Sequence, residues 1–226
     1  MDTTLALPTL DLATEENLPQ AMRAYLALER MIVMLELEPG AAYTEAFLLD
    51  RLEFGRTPVR EALQRLEWEG LVDIRPRAGI AISPIIAGDW IKVTQTRYGP
   101  ECLLMRSAAL SGHPGAHERM REAGTAMQKA TVSESTLMFL RADKAFDAAL
   151  ATAADNAYAA RAVAPLQSHS RRFWFRYQSD RGLTEAAGNH LAVIDAILNG
   201  DADRAETAAR TMLDLNLRYA RRVAGQ

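Results

Sequence analysis

From residue 19 onwards, apolar side chains recur at the three- and four-residue spacing of a helix face, in segments punctuated by Gly, Pro, Asn and Asp. The first segment, 19–37, opens on Pro19, which suits a first helical position, and is stopped by Pro39-Gly40. Thr44 reads as the N-cap of a short helix to residue 52, with Phe47, Leu48 and Leu52 as its apolar positions. Thr57-Pro58 has the form of a cap followed by a first-turn proline, and Val59, Ala62, Leu63 and Leu66 then share one face until Gly70. The period next drops to two. Val72 and Ile74 alternate with Asp73 and Arg75, residues 76–79 supply turn chemistry, and Ile80 and Ile82 alternate again.

Three helices followed by a short hairpin predict a winged helix-turn-helix over 19–86, in which one helix suits a major groove. Beyond Gly88-Asp89 the strand pattern disappears, and six helices are expected at 90–110, 115–130, 134–154, 157–177, 183–198 and 202–223. Gly99-Pro100 should kink or break the first of these. Residues 1–18 are acidic and aperiodic and read as a loose arm. The predicted class is mainly α: an arm, a winged helix-turn-helix, and an all-α helical bundle over 87–226 for effector binding and dimerisation.

Composition narrows the function. A chain of 226 residues with 49% hydrophobic and 24% charged side chains can bury two small cores. Cys102 is the sole cysteine and cannot form an internal disulfide, and no leader pattern opens the chain. Nothing approaches the roughly 20 apolar residues needed to span a bilayer. A cytoplasmic protein without a membrane partner is expected. The net charge of -3 argues against binding polyanions by bulk charge, and residues 1–86 alone hold eight Arg against fourteen Asp and Glu. Any contact with DNA must therefore be local. Arg51, Arg56, Arg60, Arg65, Arg75 and Arg77 are concentrated in the reading helix, its approach and the hairpin, with Thr57 and Gln64 between them. Guanidinium forks and a helix N-terminus suit guanine edges and phosphates, and Gly79 would allow close backbone approach. The alternative is a solvated helix whose arginines pair with Glu61, Glu67 and Glu69.

The string Gly55-Arg56-Thr57-Pro58-Val59-Arg60-Glu61-Ala62-Leu63, continuing through Gly70-Leu71-Val72 to Arg77-Ala78-Gly79, closely resembles the reading helix and wing of GntR-family regulators. The resemblance implies a DNA-binding transcriptional regulator, most simply a repressor, acting as a homodimer on a palindromic double-stranded operator. It places DNA contacts at Arg51, Arg56, Thr57, Arg60, Arg77 and Gly79. Gly55 stands where a serine is usual, and Glu53 where a glycine is usual.

In the second half, Asp143 and Asp147 lie four apart on a stripe shared with Leu140 and Leu150, while His190 and Met212 interrupt or join other apolar stripes. Buried carboxylates need a positive or hydrogen-bonding partner; otherwise they are solvated helix acids. The strings Asp143-Lys144-Ala145-Phe146-Asp147, Asn156-Ala157-Tyr158 and His190-Leu191-Ala192-Val193-Ile194 resemble the FCD ligand-binding domain of the FadR-like GntR subgroup, in a shorter six-helix form. That resemblance implies an effector pocket of Arg97, Asp143, Asp147, His190 and Met212 and a small effector, expected to be a carboxylate. It also implies a metal site at Asp143, Asp147 and His190. Asp147 and Met212 stand where the family has histidines, so the expectation is no obligatory cofactor, with a weakly held divalent ion as the alternative. His169 with Arg171-Arg172-Phe173-Trp174 reads as pocket lining, a subunit contact or simple packing. A metal-dependent hydrolase using Asp143, Asp147 and His190 and a winged module for protein association alone are the competing functions. No zincin helix, nucleophile elbow or phosphate loop supports an enzyme.

Overall fold

The structure is a computed structural model that describes residues 17–111, 113–177 and 182–225. Most of the expected arm lies outside them. The first unit comprises α1 (Gln20–Val33), β1 (Ala42–Tyr43), α2 (Glu45–Leu52), α3 (Arg56–Trp68), β2 (Val72–Arg75) and β3 (Gly79–Ile82). Leu28, Ile32, Leu37, Leu48, Leu66 and Leu71 fill its core. The first helix stops four residues before its expected end. Leu35 is left-handed at φ 57°, which turns the chain and lets Leu37 pack inward.

Thr44 caps α2 as expected, its hydroxyl accepting from Phe47 N at 3.2 Å. The start of α3 differs. Gly55, not Thr57, is the N-cap, so Thr57 lies within the first turn, and Gly55 offers no side chain to cap it. Glu53 is left-handed at φ 54°, the conformation for which a glycine would be suited. The two-residue β1 is too short to show a period. It pairs antiparallel with β3, giving the order β1-β3-β2 with Tyr43 opposite Ile80 and Arg75 opposite Gly79.

The second unit contains α4 (Ala87–Ser111), α5 (Pro114–Val132), α6 (Thr136–Ala154), α7 (Ala157–Tyr177), α8 (Leu183–Leu198) and α9 (Ala202–Ala224). A central α4 packs against α6, α7, α8 and α9. It runs unbroken through Pro100, contrary to the alternative of a break. Proline removes one N–H from the ladder, and the helices packed around α4 hold its remaining turns. His113 caps α5, accepting from Ala116 N at 3.2 Å, which gives this side chain a structural role. Close contact is also built in at Gly124, where a Cβ would approach Leu191 to 3.0 Å. Among the described residues no helix is long and apolar enough to cross a membrane.

Gly79 serves the sheet directly. Its φ is 92°, and an added Cβ would lie 2.6 Å from the Tyr43 carbonyl oxygen. Gly79→Ala is expected to destabilise the first unit by about 1–3 kcal/mol. Urea unfolding followed by tryptophan fluorescence checks this, and wild-type stability would show that the β1–β3 approach is not required.

Candidate functional site

Arg56, Thr57, Arg60 and Gln64 are exposed along α3. The Arg56 and Arg60 side chains are 71% and 60% exposed, and both reach Glu45 on α2, at 3.4 and 3.0 Å. Such exposed pairs are weak. Glu45 can hold the two guanidiniums in register yet surrender them to a stronger anion. Arg51 is exposed and lies over the Phe47 ring, 5.1 Å from its centroid. Arg77 is exposed at the hairpin turn with φ 66°. Arg51, Arg56, Thr57 and Arg60 lie exposed on α2 and α3 and Arg77 at the wing turn, whereas Gly79 has the packing role described above.

Arg65 is different. It donates to Glu69 at 2.9 Å and stacks 3.8 Å from the centroid of Tyr25, so it clamps α3 to α1. Arg75 is paired with Asp73 at 2.7 Å. Sequence spacing alone could not separate these structural arginines from the exposed ones, and it missed Glu45 and Phe47 as supports.

The pocket forms where α4, α6, α7, α8 and α9 meet. Arg97, Asp143, His190 and Met212 line it, together with Phe139 and Trp174. The cavity between these side chains is only about 20 Å³, so a ligand larger than a water molecule must displace some of them. Arg97 is 6% exposed. Its Nε donates to Glu101 at 2.7 Å and its Nη1 to Ser170 Oγ at 2.6 Å.

Asp143 and Asp147 are joined by a residue not assigned to them beforehand. Arg171 donates from Nε to Asp143 Oδ2 at 2.7 Å and from Nη2 to Asp147 Oδ2. His190 contacts the Ala186 carbonyl through Nδ1 at 2.8 Å and Asp143 Oδ1 through Nε2 at 2.9 Å. A carbonyl and an ionised carboxylate can only accept, so both ring nitrogens donate and His190 is an imidazolium. Phe139 and Phe146 meet its ring edge-on. Burial resists ionisation of Asp143, but Arg171 and His190 outweigh it and hold this carboxyl well below the usual range. For Asp147 burial prevails over Arg171, with Asp143 and Glu101 adding to it, and its pKa is raised.

Asp143, Asp147 and His190 do not fit a divalent ion as they stand, because a guanidinium occupies both carboxylates and His190 turns its Nε2 to Asp143. No group of three or more His, Cys, Asp or Glu among the described residues has metal-site geometry. Met212 lines the pocket, but a thioether prefers soft ions where carboxylates prefer hard ones.

The pocket adjoins the seam between the two units. Glu29 on α1 is 3% exposed, and it accepts from Lys144 on α6 and Ser168 on α7. Burial opposes its ionisation, while Lys144 and Arg171 overcome this and lower its pKa. His169 Nε2 donates to the Glu69 carbonyl at 2.9 Å, and Arg172 donates to the Ser83 carbonyl. Arg172 has no carboxylate partner among the described residues, and burial alone pushes it down to about 10. One helix thus serves two sites. Gln167, Ser170, Arg171 and Trp174 face the pocket, while Ser168, His169 and Arg172 hold the first unit.

Comparison with known proteins places this arrangement. Residues 20–82 match the model of bacterial regulatory proteins of the gntR family, and residues 92–215 match that of the FCD domain. The chain belongs to the GntR family, in its FCD-bearing branch. This regulator is 28% identical over 195 residues to a probable D-xylose utilization operon transcriptional repressor of Paenarthrobacter nicotinovorans, covering 86% of this chain and 85% of that one. It is 30% identical to an HTH-type transcriptional regulator in an unstable DNA locus of Streptomyces ambofaciens, over 84% of this chain and 80% of that one. In fold it is similar to McbR/YncC of Escherichia coli, with a TM-score of 0.79 at 16% identity, covering 91% of this chain and 98% of that one. The regulator is a ligand-responsive DNA-binding transcription factor, with a GntR reader and an FCD effector domain.

Asp143→Asn in the regulator should cost about 3–5 kcal/mol, because it removes one partner of a buried pair and disturbs His190 as well. Equilibrium unfolding in urea measures the loss; a change below about 1 kcal/mol would mean that water already shares this site.

Proposed function

We propose that the regulator acts as a homodimeric repressor in the cytoplasm and releases a palindromic operator when a small organic acid enters the Arg97–Arg171 pocket. The observation that carries this reading is the double use of α7, which holds pocket residues on one side and the DNA-binding unit on the other. Arg56, Thr57 and Arg60 would enter the major groove, Arg51 would contact the backbone, and Arg77 would reach out from the wing. Two readers related by a twofold axis would supply affinity that one acidic module lacks. Both operator strands would then be read by equivalent residues.

A carboxylate entering the pocket meets no free cation. It must replace an internal partner, taking an edge of Arg171 from Asp147 or of Arg97 from Glu101 or Ser170. Such exchange would shift α7 and with it the grip on Glu29, biasing the reader between two placements. A hydrolase would need Asp143 and Asp147 free to hold an ion and its water, whereas both engage Arg171. The arginines exposed at the N-terminus of α3 favour DNA binding over a role in protein association alone.

Two measurements test the reading. Arg60→Ala should weaken operator binding by about 1–3 kcal/mol in a fluorescence titration at fixed salt, the range for losing a base or phosphate fork; unchanged affinity would remove Arg60 from the interface. Glu29→Gln should leave effector binding in place but shrink the effector-induced loss of operator affinity. An undiminished response would exclude Glu29 from transmission.

A further inference from the structure

We propose that Arg171 is the resident cation of the pocket, holding on the chain itself the position that a divalent ion would take among Asp143, Asp147 and His190. Three observations on different elements support this. Arg171 is 6% exposed, and its guanidinium bridges two carboxylates one turn apart on α6. Asp143 uses its other oxygen to orient His190 on α8, whose second nitrogen is tied to Ala186. Met212 on α9 closes the same pocket with an uncharged side chain. Groups of the chain itself thus meet the acids and orient the His190 ring.

The chemistry disfavours exchange for a metal. A planar fork matches two carboxylates with directed N–H bonds, and Arg171 is tethered, so it pays no entropy of capture. An entering ion would have to expel that fork, and would gain two carboxylates and one imidazole that must first be deprotonated and turned away from Asp143. Divalent ions therefore compete with the site instead of completing it.

Tethering also has a regulatory consequence. A diffusible ion can move within a pocket without moving a helix; Arg171 cannot. It lies three residues beyond Ser168 and one before Arg172, both of which hold the DNA-binding unit. The ligand class that follows is a small anion or acceptor-rich molecule that takes one edge of this guanidinium directly, with no metal between. This last consequence rests on the effector reading above, whereas the assignment of the cation does not.

The test uses the full chain, stripped with EDTA and titrated with Mn2+, Ni2+ and Zn2+ by calorimetry and thermal shift. The expected result is no stoichiometric uptake and no upward shift in Tm. Arg171→Ala should lower Tm, and free guanidinium ion at concentrations far below denaturing ones, or Mn2+, should raise it again while leaving the wild type unmoved. One equivalent of ion bound by the wild type and lost in His190→Gln would overturn the proposal, as would a folded Arg171→Ala protein whose stability responds to neither cation. If Arg171→Ala does not fold, the wild-type and His190→Gln titrations still decide. Failure of organic acids to shift the wild-type Tm would count against the effector reading alone.

Discussion

A buried guanidinium between two carboxylates is the constraint on which the FCD unit is built. Arg171 must leave water to reach Asp143 and Asp147, and the cost is offset only while both acceptors stay in place. Asp143 is fixed in turn by His190, so α6, α7 and α8 are tied through polar groups set in a largely apolar core that also buries the Arg97–Glu101 pair. Apolar packing tolerates small slides, but a directed network with every partner assigned has few alternative arrangements. A pocket of this kind changes by exchanging partners, which suits a switch better than gradual deformation does.

The seam between the units follows the same logic. Glu29 is a buried acid that accepts hydrogen bonds from Lys144 and Ser168 of the other unit, and Ser168 lies on the helix that carries Arg171. His169 and Arg172 extend the clasp to Glu69 and Ser83, at the end of α3 and just after the wing. The exposed arginines of α3 have the opposite character. Arg56 and Arg60 share Glu45 in solvent-exposed pairs that can be given up, while Arg65 is committed to Tyr25 and Glu69. An acidic unit can carry a basic exposed edge because its arginines are divided between solvent-exposed and packed positions.

The fold was legible where period and punctuation agreed. The alternation about residues 76–79 located the wing, and Thr44 marked a helix start that its hydroxyl does cap. Misreadings came where tertiary contacts overrode local signals. Leu35 adopts a left-handed turn that ends α1 early, Gly55 begins α3 ahead of Thr57, and α4 continues through Pro100. Of the five residues expected at the pocket, Asp143, His190, Arg97 and Met212 line one cavity, while Asp147 does not line it and is joined to it through Arg171. Their partners were less legible. Arg171 was visible only as part of a distinctive cationic-aromatic run, and Glu101, Ser170 and Glu29 carry no local mark of their bonds to Gln167, Arg97 and Ser168, which lie 66, 73 and 139 residues away in sequence.

The central claim is that the pocket acids and the anchor of the DNA-binding unit are energetically coupled through α7. A double-mutant cycle on operator affinity with Asp143→Asn, Glu29→Gln and the combined variant measures that coupling directly. The account predicts an interaction energy of about 1 kcal/mol or more between the two sites. Additivity within about 0.3 kcal/mol, with all four proteins folded, would contradict it.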